Sequence, residues 1–308
     1  MDYKQLTNFA GKKFLHWSVS VAGTTHLNRN IYKWSCVFDS TRPFVLLQGS
    51  VHAREFVSSD VLMKMIDLIE EDFENLKDIG TPNLVVLPMI NVDGVELVKH
   101  GINSVPKKMH DFLLMINDNK KDFSLFKANV RGVDINNNFD AKWHRQNGSI
   151  APSISGFKGK TPASEKETKV LMQETILCGA VATISFHTKG NELYYSFYQK
   201  GYAKKRDWVV AKILSRSAGC KIKNVQRVSS GGFKDWCVEK LGVTAVTIEL
   251  GDEELTHPIG EEFAENIFYK IKDMCYTLCE ISNILGDCNE QKIYGASNIP
   301  CKKSTKKR

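Results

Sequence analysis

Apolar and polar positions along the chain switch between two periods. Residues 44–49 (FVLLQG) form a short apolar run that reads as a buried strand ending in a loop with His52. Residues 58–72 then place Val61, Leu62, Met65, Ile66 and Ile69 at helical spacing. Residues 83–90 (NLVVLPMI) predict the next strand, closed by a turn at Asn91-Val92-Asp93-Gly94. From residue 100 to 149 the pattern is less regular. Ser164, followed three residues later by Glu167, predicts a helix opened by a capping box. A strand over 181–186 runs up to His187. A helix over 203–218, a short one over 235–240, a strand over 243–250 with Glu249, and a long helix over 260–285 complete the reading. Strands interleaved with helices, without an internal repeat, predict one α/β domain over residues 1–285.

The polar residues at the strand ends carry the chemistry. His52 and Glu55, His187, and Glu249 all fall at the C-terminal ends of apolar strands, the edge where open α/β sheets bind ligands. His52 and Glu55 stand three residues apart at a loop-to-helix junction, so both side chains can face one ion. His187 is the best third ligand. Two imidazoles and a carboxylate form a catalytic zinc set with a fourth position open to water. Glu249 is then placed to take a proton from that water, and burial beside an apolar strand would raise its pKa towards that task. Taken singly, an H-x-x-E tetrapeptide or a strand-end histidine also has a purely structural reading.

Composition narrows the class. The chain has 308 residues, of which 42% are hydrophobic and 25% charged, which excludes a disordered, collagenous or disulfide-rich chain. No apolar run approaches the roughly 18 residues of a membrane-spanning helix. The first residues lack the basic and apolar segments of a secretory signal, so a cytoplasmic location is expected, with no membrane partner. Of the net charge of +7, Lys302, Lys303, Lys306, Lys307 and Arg308 supply five, so residues 286–308 read as a solvated, disordered basic tail. No basic segment interleaved with aromatics is present, and no nucleic-acid partner is expected. The eight cysteines include no C-x-x-C pair, and Cys275 and Cys279 read as packed, reduced thiols.

Five ordered segments, GSVHARE, GVDINNNF, SFHTKG, SSGGFKDW and TIELG, resemble the motifs of the zinc metallocarboxypeptidase family from about residue 30 to 280. The resemblance implies a single domain with a mixed, mostly parallel central sheet flanked by helices. It also implies one Zn2+ per chain held by His52, Glu55 and His187, with Glu249 as general base and acid. Ordinary members carry an Asn-Arg pair that grips the substrate's C-terminal carboxylate. Here Asn136 is retained to orient the substrate, but Asn137 replaces the Arg. The position of the family's mobile Tyr falls nearest Arg227. Lys234 occupies the position linked to side-chain selectivity, where a cation favours an acidic side chain.

With DFSLFKANVRGVDIN and HTKGNELYYSF, these departures resemble one branch, the γ-D-glutamyl-meso-diaminopimelate peptidases of bacteria. The implied activity is hydrolysis of that bond in peptidoglycan stem peptides, on imported or recycled muropeptides, with Lys234 meeting the second carboxylate of diaminopimelate. Arg54, Lys127 and Arg131 are candidates for the cation that stabilises the oxyanion, and Arg54 should also orient the substrate. A carboxypeptidase removing ordinary acidic C-terminal residues is the alternative. An inactive wall-peptide-binding protein is a third reading, which an intact Glu249 argues against.

Overall fold

The computed structural model describes the backbone of residues 1–223 and 230–295, and side chains as far as residue 285. The segment with Arg227 and Ser229, and the basic end from residue 296, lie outside the described residues. Eight strands are present among the described residues: β1 (Trp17–Thr24), β2 (Asn30–Cys36), β3 (Phe44–Gly49), β4 (Asn83–Leu87), β5 (Ala182–Thr188), β6 (Glu192–Tyr194), β7 (Lys221–Lys223) and β8 (Thr244–Leu250). They form one sheet in the order β1-β2-β4-β3-β5-β8-β6-β7. The central four, β4, β3, β5 and β8, are parallel, while β1, β2 and β6 join antiparallel neighbours.

The parallel strands are the apolar runs of the sequence, and they are buried almost throughout because helices cover both faces. The crossover helix Val57–Glu71 buries Val61, Leu62, Met65, Ile66 and Ile69, as their spacing predicts. No helix among the described residues is long and apolar enough to cross a membrane.

Local chemistry departs from expectation at three places. Asn91 does not close a turn; its Oδ1 accepts the Gly94 N–H at 3.1 Å and caps a helix over Val92–His100. The capping box at Ser164 does not form. The helix there is Lys166–Leu177, and Ser164 Oγ instead donates to Glu165 Oε1 at 2.7 Å, while the buried Glu167 is drawn towards His26. The long C-terminal helix is divided into Ala264–Ile271 and Met274–Gly295. Between them the Cys275 N–H reaches back only three residues to the Lys272 carbonyl, a tightened turn. The second helix carries the backbone beyond residue 285, where the tail was expected to begin.

The end of β3 is the part of the fold that aims the site. A Cβ on Gly49 would lie 2.9 Å from both the Pro88 carbonyl oxygen and Leu62 Cδ1. Ser50 follows in the left-handed region (φ 49°), pinned by its N–H donating to Ser58 Oγ at 2.9 Å. This tight corner delivers His52 over the sheet edge. Gly49→Ala should therefore destabilise the fold by about 1–3 kcal/mol through overpacking and weaken metal binding. Urea unfolding followed by metal titration checks both, and an unchanged midpoint would show that the corner yields freely.

Candidate metal centre

His52 precedes a single 3₁₀ turn over Ala53–Glu55, which brings His52 and Glu55 to one side. The turn is held by the Ala53 N–H donating to the Lys127 carbonyl at 3.1 Å and by Ser58 Oγ donating to the Glu55 carbonyl at 2.7 Å. His187 arrives from the end of β5, directly beside Glu249 on β8. Nδ1 of His52 and Nδ1 of His187 each lie 2.9 Å from Glu55 Oε2, and the two nitrogens lie 3.0 Å apart. All three residues are buried.

This triangle suits a metal better than it suits hydrogen bonds. Two ring nitrogens facing each other and sharing one carboxylate oxygen crowd lone pairs that protons alone satisfy poorly. Nitrogen and oxygen ligands at zinc distances of about 2.0–2.1 Å in a tetrahedron stand roughly 3.3 Å apart, close to the edges seen here. The donor set therefore fits zinc with an open fourth position.

Asp134 backs the centre. Its Oδ1 lies 3.3 Å from His52 Nε2, and its Oδ2 accepts the Gly156 N–H at 3.1 Å. Burial works against this carboxylate, but Lys127, at 3.9 Å, and His52 hold it well below the ordinary range. A carboxylate behind a ligating imidazole fixes its tautomer and orientation. The sequence reading assigned Asp134 no role, although it stands inside the GVDINNNF segment.

Glu249 has the opposite environment. Burial pushes its carboxyl up to about 7; the adjacent His187 opposes the shift and Glu55 reinforces it. Glu192 faces it from β6. A carboxylate poised near neutrality can accept a proton and return it.

The substrate-binding candidates divide. Lys127 lies close enough for its charge to act on His52, Asp134 and Glu249. Arg54 stands in the chain between the two ligands of the turn, its Nε without a hydrogen-bond partner among the described residues and its Nη1 a distant 3.5 Å from the Leu125 carbonyl. Asn136 Oδ1 accepts the Phe233 N–H at 3.0 Å, tying the NNNF segment to the helix Phe233–Trp236. Asn137 Oδ1 takes a hydrogen bond from Gln146 Nε2 at 2.6 Å. Lys234 is 7% exposed, with Nζ donating to the Ser196 carbonyl at 3.1 Å and to Asp235 Oδ1 at 2.5 Å. It is not a solvated surface lysine. Arg131 Nε lies 3.8 Å from Glu165 Oε2, and among the described residues no contact joins it to the three ligands. The sequence reading also passed over His257, which lies 3.5 Å from Thr188 Oγ1.

The zinc carboxypeptidase family pattern matches residues 5–269. The uncharacterized protein YqgT of Bacillus subtilis (strain 168) is 28% identical over 241 residues, covering 74% of this chain and 63% of that protein. Gamma-D-glutamyl-L-diamino acid endopeptidase 1 of Lysinibacillus sphaericus is 28% identical over 228 residues, covering 70% of this chain and 56% of that protein. The match thus spans less than two thirds of the length of both relatives. Among solved structures, carboxypeptidase A from Helicoverpa armigera shares the fold, with a TM-score of 0.72 at 16% identity over 92% of this chain and 73% of that one.

Removing the carboxylate behind His52 should be visible in metal affinity alone. Asp134→Asn is expected to weaken zinc binding by roughly 10- to 100-fold, measured by competition with a chromogenic chelator. Unchanged affinity would mean that Asp134 does not orient the ligand.

Proposed function

The chain belongs to the zinc carboxypeptidase family, and we propose that it is a zinc peptidase hydrolysing the γ-D-glutamyl-meso-diaminopimelate bond of peptidoglycan stem peptides. The observation that carries this reading is Asn137, a neutral residue engaged by Gln146 where the family's usual pattern has the carboxylate-gripping Arg. A protein without that bidentate cation gives up charge-assisted bonding to an ordinary C-terminus. The buried Lys234 supports a substrate side chain that ends in a carboxylate. Similarity to a gamma-D-glutamyl-L-diamino acid endopeptidase supports the same bond.

In this reading His52, Glu55 and His187 hold zinc, which when bound polarises a scissile carbonyl and acidifies a water. Glu249 takes a proton from the attacking water and hands it to the departing amine of diaminopimelate. Lys127 and Arg54 supply positive charge beside the reacting carbonyl. Asn136 orients the peptide through Nδ2, which has no protein partner among the described residues, while its Oδ1 stays on Phe233.

The test is mass-spectrometric cleavage of a γ-D-Glu-diaminopimelate peptide against an α-linked peptide ending in Glu. Faster hydrolysis of the γ-linked peptide is expected, and a preference for the α-linked one would favour an ordinary acidic carboxypeptidase. Lys234→Met should lower kcat/KM for the diaminopimelate peptide by roughly 10-fold or more relative to its Lys-containing analogue. Equal losses would remove Lys234 from substrate recognition.

Glu249→Gln should abolish turnover while zinc content stays stoichiometric, because the shape survives and the proton acceptor does not. In the unchanged protein, kcat/KM should fall as pH drops and Glu249 becomes protonated. That acid limb should lie at or below about 7, since the charge of bound zinc favours the carboxylate. A rate flat from pH 4 to 8 would assign the proton transfer to another group.

A further inference from the structure

We propose that His257, together with Arg54, forms a subsite for the free α-carboxylate of the γ-linked D-glutamate, so that the protein selects that acid over its α-carboxamide. This rests on the peptidase reading above. Arg54, Lys127 and Lys189 all lie close enough for their positive charge to act on His257. Lys127 stands 3.9 Å from Asp134, and Lys189 Nζ donates to the Glu253 carbonyl. Arg54 has no carboxylate partner among the described residues, and its buried Nε has no hydrogen-bond acceptor. A partly buried guanidinium in that state calls for an anion.

His257 stands next to this gap. Its Nδ1 faces the Thr188 hydroxyl at 3.5 Å, and the Thr188 N–H donates to Glu55 Oε2 at 3.3 Å. One residue therefore separates the imidazole from the ligand cluster. Burial, with Arg54 next, pushes the His257 pKa down to about 4, so the ring is neutral at pH 7. In the tautomer whose Nδ1 accepts a hydrogen bond from the Thr188 hydroxyl, the ring proton sits on Nε2 and is available to a carboxylate.

The chemistry of the bond supplies the anion. When D-glutamate is linked through its γ-carboxyl, its α-carboxylate hangs on a short flexible arm from the scissile carbonyl. An ordinary α-linked residue carries its amide nitrogen on the carbon next to the scissile carbonyl, and only a glutamate side chain would bring a carboxylate to the same distance. In this proposal Arg54, which stands in the chain between the ligands His52 and Glu55, is the cation that meets that arm. Neutral Asn137 lowers the charge available on the leaving-group side, and Arg54 with His257 places donors on the acyl side.

Two substrates that differ only at this group isolate the contact: the γ-D-Glu-diaminopimelate peptide with a free α-carboxylate, and the same peptide with an α-carboxamide. The unchanged protein should prefer the acid. His257→Ala should lower kcat/KM on the acid by roughly 10-fold or more and leave the carboxamide nearly unaffected, with zinc content unchanged by metal analysis. His257→Gln, which keeps a neutral donor, should retain most of the preference. Equal losses on both substrates, or a wild-type rate as high on the carboxamide as on the acid, would overturn the subsite. If the unchanged protein cleaves neither peptide, the peptidase reading itself fails, a result distinct from a preference that His257 does not control.

Discussion

Two imidazoles and a carboxylate held within 3.0 Å of one another in a buried setting are the constraint on which the rest of the molecule depends. Left to themselves, such groups would relax apart or take up protons, because neighbouring lone pairs repel and the interior screens them weakly. They stay together because each is fixed from behind. Glu55 is set by a turn whose carbonyl accepts the Ser58 hydroxyl, His52 faces Asp134, and His187 is locked in register between β3 and β8. The parallel sheet contributes stiffness, and its C-terminal edge contributes the place where chain ends can converge.

The loop from Lys127 to Asp134 shows how far that support extends. Its backbone carries the acceptor for Ala53 at one end and the carboxylate behind His52 at the other. Between them Asn129 clips the loop from inside: Oδ1 accepts the N–H groups of Arg131 and Val133 at 3.0 and 3.1 Å, and Nδ2 donates to Glu165 at 2.8 Å. Glu165 in turn faces His26 from the β1–β2 connection. Arg131 Nε lies 3.8 Å from the same carboxylate.

The legible part of the fold was the part with one dominant signal. The buried strands β3, β5 and β8 are bounded by turns and apolar throughout, and the helix Val57–Glu71 has an unbroken apolar stripe. The hairpin β1–β2 was passed over because WSVSVAGT and NIYKWSC are only partly buried, and the helix Tyr3–Ala10 is short. His187 and Glu249 stood out in the sequence because each lies at the end of an apolar run, and His52 and Glu55 because they follow one at a loop-to-helix junction. Asp134, His257 and Glu192 were not, since each depends on a fold-level neighbour: His52, Thr188 and Glu249 respectively. Lys234 was legible in position, but its burial against Asp235 and Ser196 is a tertiary fact that a lysine code cannot carry.

Glu55 and Glu249 belong to the same sheet edge, yet their surroundings assign them opposite chemistry. Both are penalised by burial. Glu55 offsets that penalty with His52 and His187 beside one oxygen and the Thr188 N–H donating to the same atom, so it stays ionised far below the ordinary range. Glu249 accepts no hydrogen bond among the described residues and faces two other carboxylates, Glu55 and Glu192, so its proton is held until near neutrality. An oxygen that never protonates is suited to ligation, and one that changes state near neutrality is suited to proton transfer. The difference does not come from the glutamates themselves. It comes from a turn that points one of them at two imidazoles and a strand register that leaves the other beside only one.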